Sequence, residues 1–409
     1  MQSWLDWILA GIFPVSFTLH PPLILMRLLT QLTFVLASSC VAYAASPAVP
    51  EQAQILKTLR STNDYFMAKW PDTGKVIVTN RARPSNIWTR AVYYEGLMEL
   101  HKIDPEKRYI DYAVSWGEAH KWGLNRGVKT TDADNHCAGQ TYLALYEMDP
   151  KLERLRDIKA SIDRVIAEDD DAAWWWIDAL QMGMPVFAKL GAMTGDPKYV
   201  EKMHAMYLHS KNKHGDKGLF NPADGLWWRD KDFDPPYTEP NGEDSYWSRG
   251  NGWVVGAMVR TLELLPKDSP YRKEYSDMLV TMCEAVRKVQ REDGFWNVSL
   301  HDPTNFGGKE TSGTALFVYG MAWGVRQGLL PRDVYEPVIF KAWNAMATEA
   351  VHANGFLGYL QSTGKEPKDG QPVTYDKQPD FEDYGLGCFL LGGIEVYRLV
   401  GEKAAAVKP

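Results

Sequence analysis

Six segments of this chain repeat one pattern. Each opens on polar or acidic residues and continues through glycine and alanine mixed with large apolar side chains. They are "SNIWTRAVYYEGLMEL" (85–100), "DADNHCAGQTYLALYEMD" (132–149), "AWWWIDALQMGMPVFAKLG" (173–191), "SRGNGWVVGAMVRTLELLP" (248–266), "ETSGTALFVYGMAWGVRQGLL" (310–330) and "EDYGLGCFLLGGIEVYRLV" (382–400). A helix that is apolar on nearly every face has to be buried, and small residues let such helices approach closely. Between them lie amphipathic stretches such as "KRYIDYAVSWGEAHKW" (107–122) and "PKYVEKMHAMYLHSKNK" (197–213), each with a charged face for solvent. Six buried helices alternating with six solvent-facing ones predict an all-α fold, an (α/α)6 barrel. An open helical array is the alternative, and six copies is the number that closes the ring.

No Ser/Gly linker or charge block divides residues 50–400, so one domain is expected over 45–409. The first 44 residues read differently. Residues 1–25 are apolar but lack a positive charge. From Met26, "MRLLTQLTFVLASSCVAYA" has Arg27, an apolar run and a small-residue site ending at Ala44. Translation from Met26, export and cleavage after Ala44 are expected. Pro14, Pro21 and Pro22 interrupt any earlier membrane span, and Ala37 stands where a lipoprotein signal ahead of Cys40 usually has Leu. The remaining cysteines, Cys137, Cys283 and Cys388, are too few for a disulfide framework. A formal net charge of −7 with no basic stretch argues against a nucleic-acid partner. Scattered His and Cys have no metal-ligand spacing, and no G-x-G-x-x-G or P-loop lysine appears, so neither metal nor cofactor is expected.

The polar starts of the six buried helices should gather at one end of the barrel. Turns there, "DGLWWRD" (224–230), "DGFWNVSLHDP" (293–303) and "NGFLGYLQ" (354–361), carry Trp and Phe suited to lining a cleft. The chain holds 16 Trp and 20 Tyr, whose flat apolar bodies and polar tips suit sugar rings as well as cores. Three of the tryptophans run together before Asp178. A carboxyl in that setting should have a raised pKa, as a general acid near neutral pH requires. Trp176 is the expected shield; capping of the helix is the structural alternative for Asp178.

Asp134 takes the equivalent place on the preceding buried helix, where Asp132 competes as the cap. His136 beside it is a binding candidate or a hydrogen-bonded core group. In "YWSRGNGWVVGA" (246–257), Arg249 and Trp253 share a helical face, the first a planar fork for a carboxylate and the second a face for a sugar. An Arg paired with a structural Asp is the alternative there, as is a plain helix entry for the Gly-Asn-Gly.

"WWWIDALQMGMP", "YWSRGNGWVV", "KETSGTALFVYGMAWG" and "DYGLGCFLLGG" together resemble glycoside hydrolase family 105, the unsaturated rhamnogalacturonyl hydrolases, related to the unsaturated glucuronyl hydrolases of family 88. The similarity spans roughly residues 55–400. It implies an (α/α)6 barrel that removes the terminal 4,5-unsaturated uronic acid left on oligosaccharides by polysaccharide lyases. It also implies that Asp178 protonates C4 of the vinyl ether and activates water for C5, that Asp134 assists, and that Arg249 and Trp253 contact the unsaturated sugar. The chain departs from the family in one loop. Some members have a binding-site His after L-F/Y, whereas "LFNPADGLWWRD" has none, leaving Asn221, Trp228 or Arg229 in its place. The partner is then an oligosaccharide of rhamnogalacturonan or ulvan type. Two other readings stand beside it: an inverting glycosidase using Asp134 and Asp178 on saturated glycans, and a non-catalytic glycan-binding protein of the cell envelope.

Overall fold

A computed structural model describes residues 47–79 and 81–407. The expectations for the leader, for cleavage after Ala44 and for Cys40 lie outside the described residues. Thirteen α-helices make up the described chain: α1 Gln52–Lys69, α2 Trp88–Ile103, α3 Lys107–Ala119, α4 Ala133–His136, α5 Ala138–Met148, α6 Leu152–Ala167 and α7 Asp178–Thr194. These continue as α8 Lys198–Asn212, α9 Ser248–Leu264, α10 Arg272–Lys288, α11 Thr311–Arg326, α12 Arg332–Ala345 and α13 Asp383–Val407. Two short hairpins, Ile77–Val78 with Ala82–Arg83 and Phe220–Asn221 with Leu226–Trp227, lie in the connections.

The ring closes. Helix α2 packs on α4 and α5, which pack on α7; α7 meets α9, α9 meets α11, α11 meets α13, and α13 returns to α2. Helices α1, α3, α6, α8, α10 and α12 pack outside this ring, each against a member of it. This is the (α/α)6 barrel that the sequence pattern predicts.

Small residues set the spacing of the inner helices. A Cβ on Gly387 of α13 would lie 2.2 Å from the carbonyl oxygen of Val92 on α2, and one on Gly320 of α11 would meet Val255 of α9 at 2.1 Å. Gly250 and Gly252 serve the same end. Their missing side chains make room for Trp247 and Ile177, and for Leu316. The Gly-Asn-Gly is thus a packing device rather than an opening for a ligand. The seam between α2 and α13 also carries a buried ion pair, in which Arg90 Nε donates to Asp383 Oδ2 at 3.0 Å. The guanidinium lies over the rings of Phe66 and Trp70.

One predicted boundary is wrong, and the error matters. The helix expected from residue 173 begins at Asp178, and Trp174–Trp176 form an irregular, partly extended approach to it. Trp176 bridges to Asp230, and Ile177 donates its N–H to the Arg229 carbonyl at 3.0 Å. Three consecutive aromatics lose rotamer freedom in a helix and fit an extended segment better. The tryptophans therefore alternate as on a strand: Trp174 and Trp176 are buried, while Trp175 is 48% exposed. Asp169–Asp171 lie too far upstream to cap the helix; Asp170 instead accepts from the Ala172 N–H.

Most of the aromatic excess is core. Trp116, Trp174, Trp227, Trp253, Trp296 and Trp343 are fully buried. Among the described residues, Cys137, Cys283 and Cys388 are buried free thiols, and no helix is long and apolar enough to cross a membrane.

Candidate active site

The N-termini of α4, α7, α9, α11 and α13 bring their polar first residues to one end of the barrel. At α4 the competition between two aspartates is resolved: Asp132 Oδ1 accepts the Asp134 N–H at 2.9 Å, so Asp132 is the cap and Asp134 is released from that duty. At α7 the cap position is Ile177, without a side-chain bond, and Asp178 is the first helical residue. Its carboxylate caps nothing. Arg229 Nε donates to Asp178 Oδ2 at 3.0 Å, and Arg229 Nη1 donates to Asp230 Oδ2 at 2.6 Å.

Asp178 is buried, 7% exposed, and its Oδ1 has no hydrogen-bond partner. Burial raises its pKa, while the positive charges of Arg229 and Arg249 pull it back. Asp134 keeps part of its surface open. Even so, loss of solvent, with the carboxylates of Asp132 and Asp178 nearby, pushes its pKa up to about 8; Arg229 opposes the rise. Burial thus favours the neutral form at both carboxyls, and the negative charge of Asp178 adds to the rise at Asp134. Asp178 is buried, in keeping with its apolar sequence neighbours, and it holds an arginine that the sequence offered only as a stand-in for a missing histidine.

Beneath Asp178 a second polar layer steadies α7. Pro185 has no N–H to offer the Gln181 carbonyl one turn back. That carbonyl accepts from Gln140 Nε2 of α5 at 2.8 Å instead. The Gln181 side chain donates to Glu95 Oε2 of α2 at 2.8 Å, and Arg260 Nε of α9 donates to Gln140 Oε1 at 2.8 Å. Four inner helices are thereby cross-linked one turn below the acid.

The other predicted site residues are placed as follows. Arg249 is buried, and its fork is occupied. Nη1 donates to the Gln361 carbonyl and Nη2 to the Ser362 carbonyl, both at 2.9 Å. Its guanidinium is held between the rings of Trp247 and Tyr384, at 4.5 and 4.9 Å from their centroids. It pairs with no structural Asp. It anchors the loop before α13 and directs its charge towards Asp178, and its Nε is buried without a partner. Trp253 is 1% exposed and packs edge-on against Trp88, so Trp88, only partly buried, is the face of that pair that reaches the surface.

Trp176 is buried against Trp175, with ring centroids 4.6 Å apart. His136 is a core group: Nε2 lies 3.0 Å from Ser161 Oγ and 3.2 Å from the Thr130 carbonyl, and burial lowers its pKa to about 4. Trp228 donates from Nε1 to Asp244 Oδ2 at 3.1 Å. There it joins Asn221, Asp224 and Tyr246 in a polar knot that shapes the loop. Among the described residues no three His, Cys, Asp or Glu side chains are grouped to hold a metal ion.

Asp134, Asp178, Arg229 and Arg249 are thus brought together electrostatically, whereas His136 and Trp228 serve the scaffold. Sequence reasoning did not single out Trp175, Trp88, Trp247 or Tyr384. Trp247 and Tyr384 lie inside the quoted motifs, but nothing in a linear pattern shows that they sandwich one guanidinium.

Comparison with known proteins agrees with this architecture. A chain from Formosa agariphila named "Unsaturated 3S-rhamnoglycuronyl hydrolase" is 30% identical over 330 residues, covering 76% of this chain and 84% of the relative. The solved structure "Glycosyl hydrolase family 88 from Bacteroides vulgatus" superposes with a TM-score of 0.77 at 30% identity, covering 86% of this chain and all of that one. A possible family 105 member from Salmonella enterica shares the fold, with a TM-score of 0.69 at 20% identity over 86% of this chain and 95% of its own. The profile described as Glycosyl Hydrolase Family 88 matches residues 58–400, nearly the whole barrel, and this chain, a glycosidase, belongs to that family.

Proposed function

We propose that this glycosidase removes a 4,5-unsaturated uronic acid from the non-reducing end of lyase-generated oligosaccharides, by hydrating the C4=C5 double bond. The observation that carries the reading is the setting of Asp178: one oxygen is fixed by Arg229, the other is buried and unpartnered, and burial raises the pKa of the carboxyl. Protonating carbon requires a neutral acid held close and dry. With Oδ2 anchored, Oδ1 is the oxygen that delivers the proton to C4. The carboxylate so formed is stabilised by Arg229 and accepts a proton from the water that adds at C5. The resulting C5 hemiketal opens to a ketone, the C1 hemiacetal collapses to the aldehyde, and the aglycone leaves as an alcohol. One water is consumed and the acid is regenerated. Asp134 assists as a second carboxyl whose neutral form burial favours, and Arg249 adds positive charge that limits the rise in the pKa of Asp178.

The sugar carrying the uronate is, in this reading, the sulfated rhamnose of an ulvan fragment. The name of the Formosa relative and the absence of a histidine between Leu219 and Asp230 favour it over a pectic rhamnogalacturonan. Export fits a substrate released outside the cell. The signal beginning at Met26 would leave a catalytic domain starting at Ala45, and N-terminal sequencing of the secreted protein tests that start. For the activity, the enzyme is incubated with lyase digests of ulvan and of rhamnogalacturonan, and with saturated oligosaccharides of the same length. Loss of the ultraviolet absorbance of the double bond, fastest with the ulvan digest, is expected. Cleavage of the saturated oligosaccharides at a comparable rate would replace this mechanism with inverting hydrolysis.

A further inference from the structure

Trp175 departs from the economy of the rest of the molecule. Among the described residues it is the one tryptophan classed as exposed, at 48%, in a chain that buries most of the others. Half of this side chain is left in water, where the rest of the molecule covers most of its other indoles. Its neighbours are tied down. The ring rests on buried Trp176, the backbone of Trp176 and Ile177 pairs with the 229–230 loop, and the Trp174 carbonyl on the other side accepts from the Ser210 hydroxyl. The Arg229 guanidinium carbon lies 5.6 Å from the Trp175 ring centroid, and Arg229 reaches on to Asp178. A half-exposed aromatic face therefore stands one arginine away from the catalytic acid, at its solvent side.

We propose that Trp175 is the stacking platform for the +1 sugar, the ring that leaves. A pyranose presents a face of C–H groups, and a 6-deoxy sugar adds a methyl group. Either covers an indole without asking it for a hydrogen bond. The charges of Arg229 are already matched by Asp178 and Asp230, so the platform itself binds the C–H face of the sugar rather than its sulfate. A sugar seated on Trp175 holds the adjoining unsaturated ring over Asp178 Oδ1 and excludes water from the Arg229–Asp178 contact. This inference rests on the hydration reading of the site.

The test compares Trp175→Ala and Trp175→Phe with the wild-type enzyme on two substrates: an unsaturated uronyl–sulfated rhamnose disaccharide from an ulvan digest, and the methyl glycoside of the unsaturated uronate, which lacks a +1 ring. The ratio of kcat/KM for disaccharide over methyl glycoside should fall about tenfold in the Ala variant, mainly through KM, as expected for loss of roughly one aromatic contact. The Phe variant should recover most of the ratio. An unchanged ratio overturns the platform, including the case in which both substrates lose activity equally, because Trp175 would then act only by supporting Arg229. Wild-type enzyme inert on both substrates overturns the hydration reading itself, a failure that shows before any variant is made.

Discussion

Replacing Asp134 by Asn tests the raised pKa of that carboxyl directly. The pKa of Asp134 is raised from 3.8 to about 8, chiefly by burial and then by the carboxylates of Asp132 and Asp178. A carboxyl whose pKa is raised on folding favours the native state fully below its unfolded value, and that advantage is lost as pH rises through the folded value. Relative to the Asn variant, the wild-type protein should therefore lose stability progressively between about pH 4 and pH 8. At about 1.4 kcal/mol per pH unit, the penalty accumulated by pH 7 has an upper bound of about 4 kcal/mol. Asp134 is not fully shielded from solvent, so screening should reduce this to about 2 kcal/mol. For a barrel of this size that corresponds to a Tm about 3 °C higher in Asp134→Asn at neutral pH. Thermal unfolding of both proteins from pH 4 to pH 8.5 measures it, with the curves converging at the acid end. Turnover should move the other way, falling in the variant because the carboxyl that assists Asp178 is lost. Equal Tm values at pH 8, or a more stable wild-type protein there, would refute the raised pKa.

Asp178→Asn should lower kcat by about 10²–10⁴-fold while the near-ultraviolet circular dichroism stays native; more than a tenth of the rate surviving would remove Asp178 from the chemistry. Arg249→Ala frees the Gln361 and Ser362 carbonyls, each bond to a charged donor contributing about 1.5–3 kcal/mol. Both a lower Tm and a raised KM are expected, and a KM equal to wild type would limit Arg249 to anchoring the loop. Gly387→Ala places a Cβ 2.2 Å from the Val92 carbonyl oxygen, so α2 and α13 must separate. A loss of about 1–3 kcal/mol in urea unfolding is expected, and an unchanged midpoint would show that the seam is not tightly packed there.

Sequence alone fixed the architecture because six inner helices must be apolar on nearly all sides, and that need is written as composition along each segment. It singled out Asp132 and Asp134 but left open which of them caps the helix, and the bond from the Asp134 N–H to Asp132 settles that. It also singled out Asp178 as a carboxyl among apolar residues, and that carboxyl is buried. What it misjudged was the three tryptophans, read as a helical turn. Their extended form depends on pairing with Asp230 and Arg229, more than fifty residues away. The same long-range pairing decided which tryptophan faces solvent and which arginine holds the acid. Arg249 looked free to grip a carboxylate because no linear pattern reveals that the Gln361 and Ser362 carbonyls fold back over it. His136 stood beside Asp134 in sequence, yet it packs against Ser161 of α6. Periodicity and capping act over a few residues and can be read in order along the chain. Charge partners and exposure at the barrel mouth are set by loops from different helices meeting there, and only the closed ring decides which ones meet.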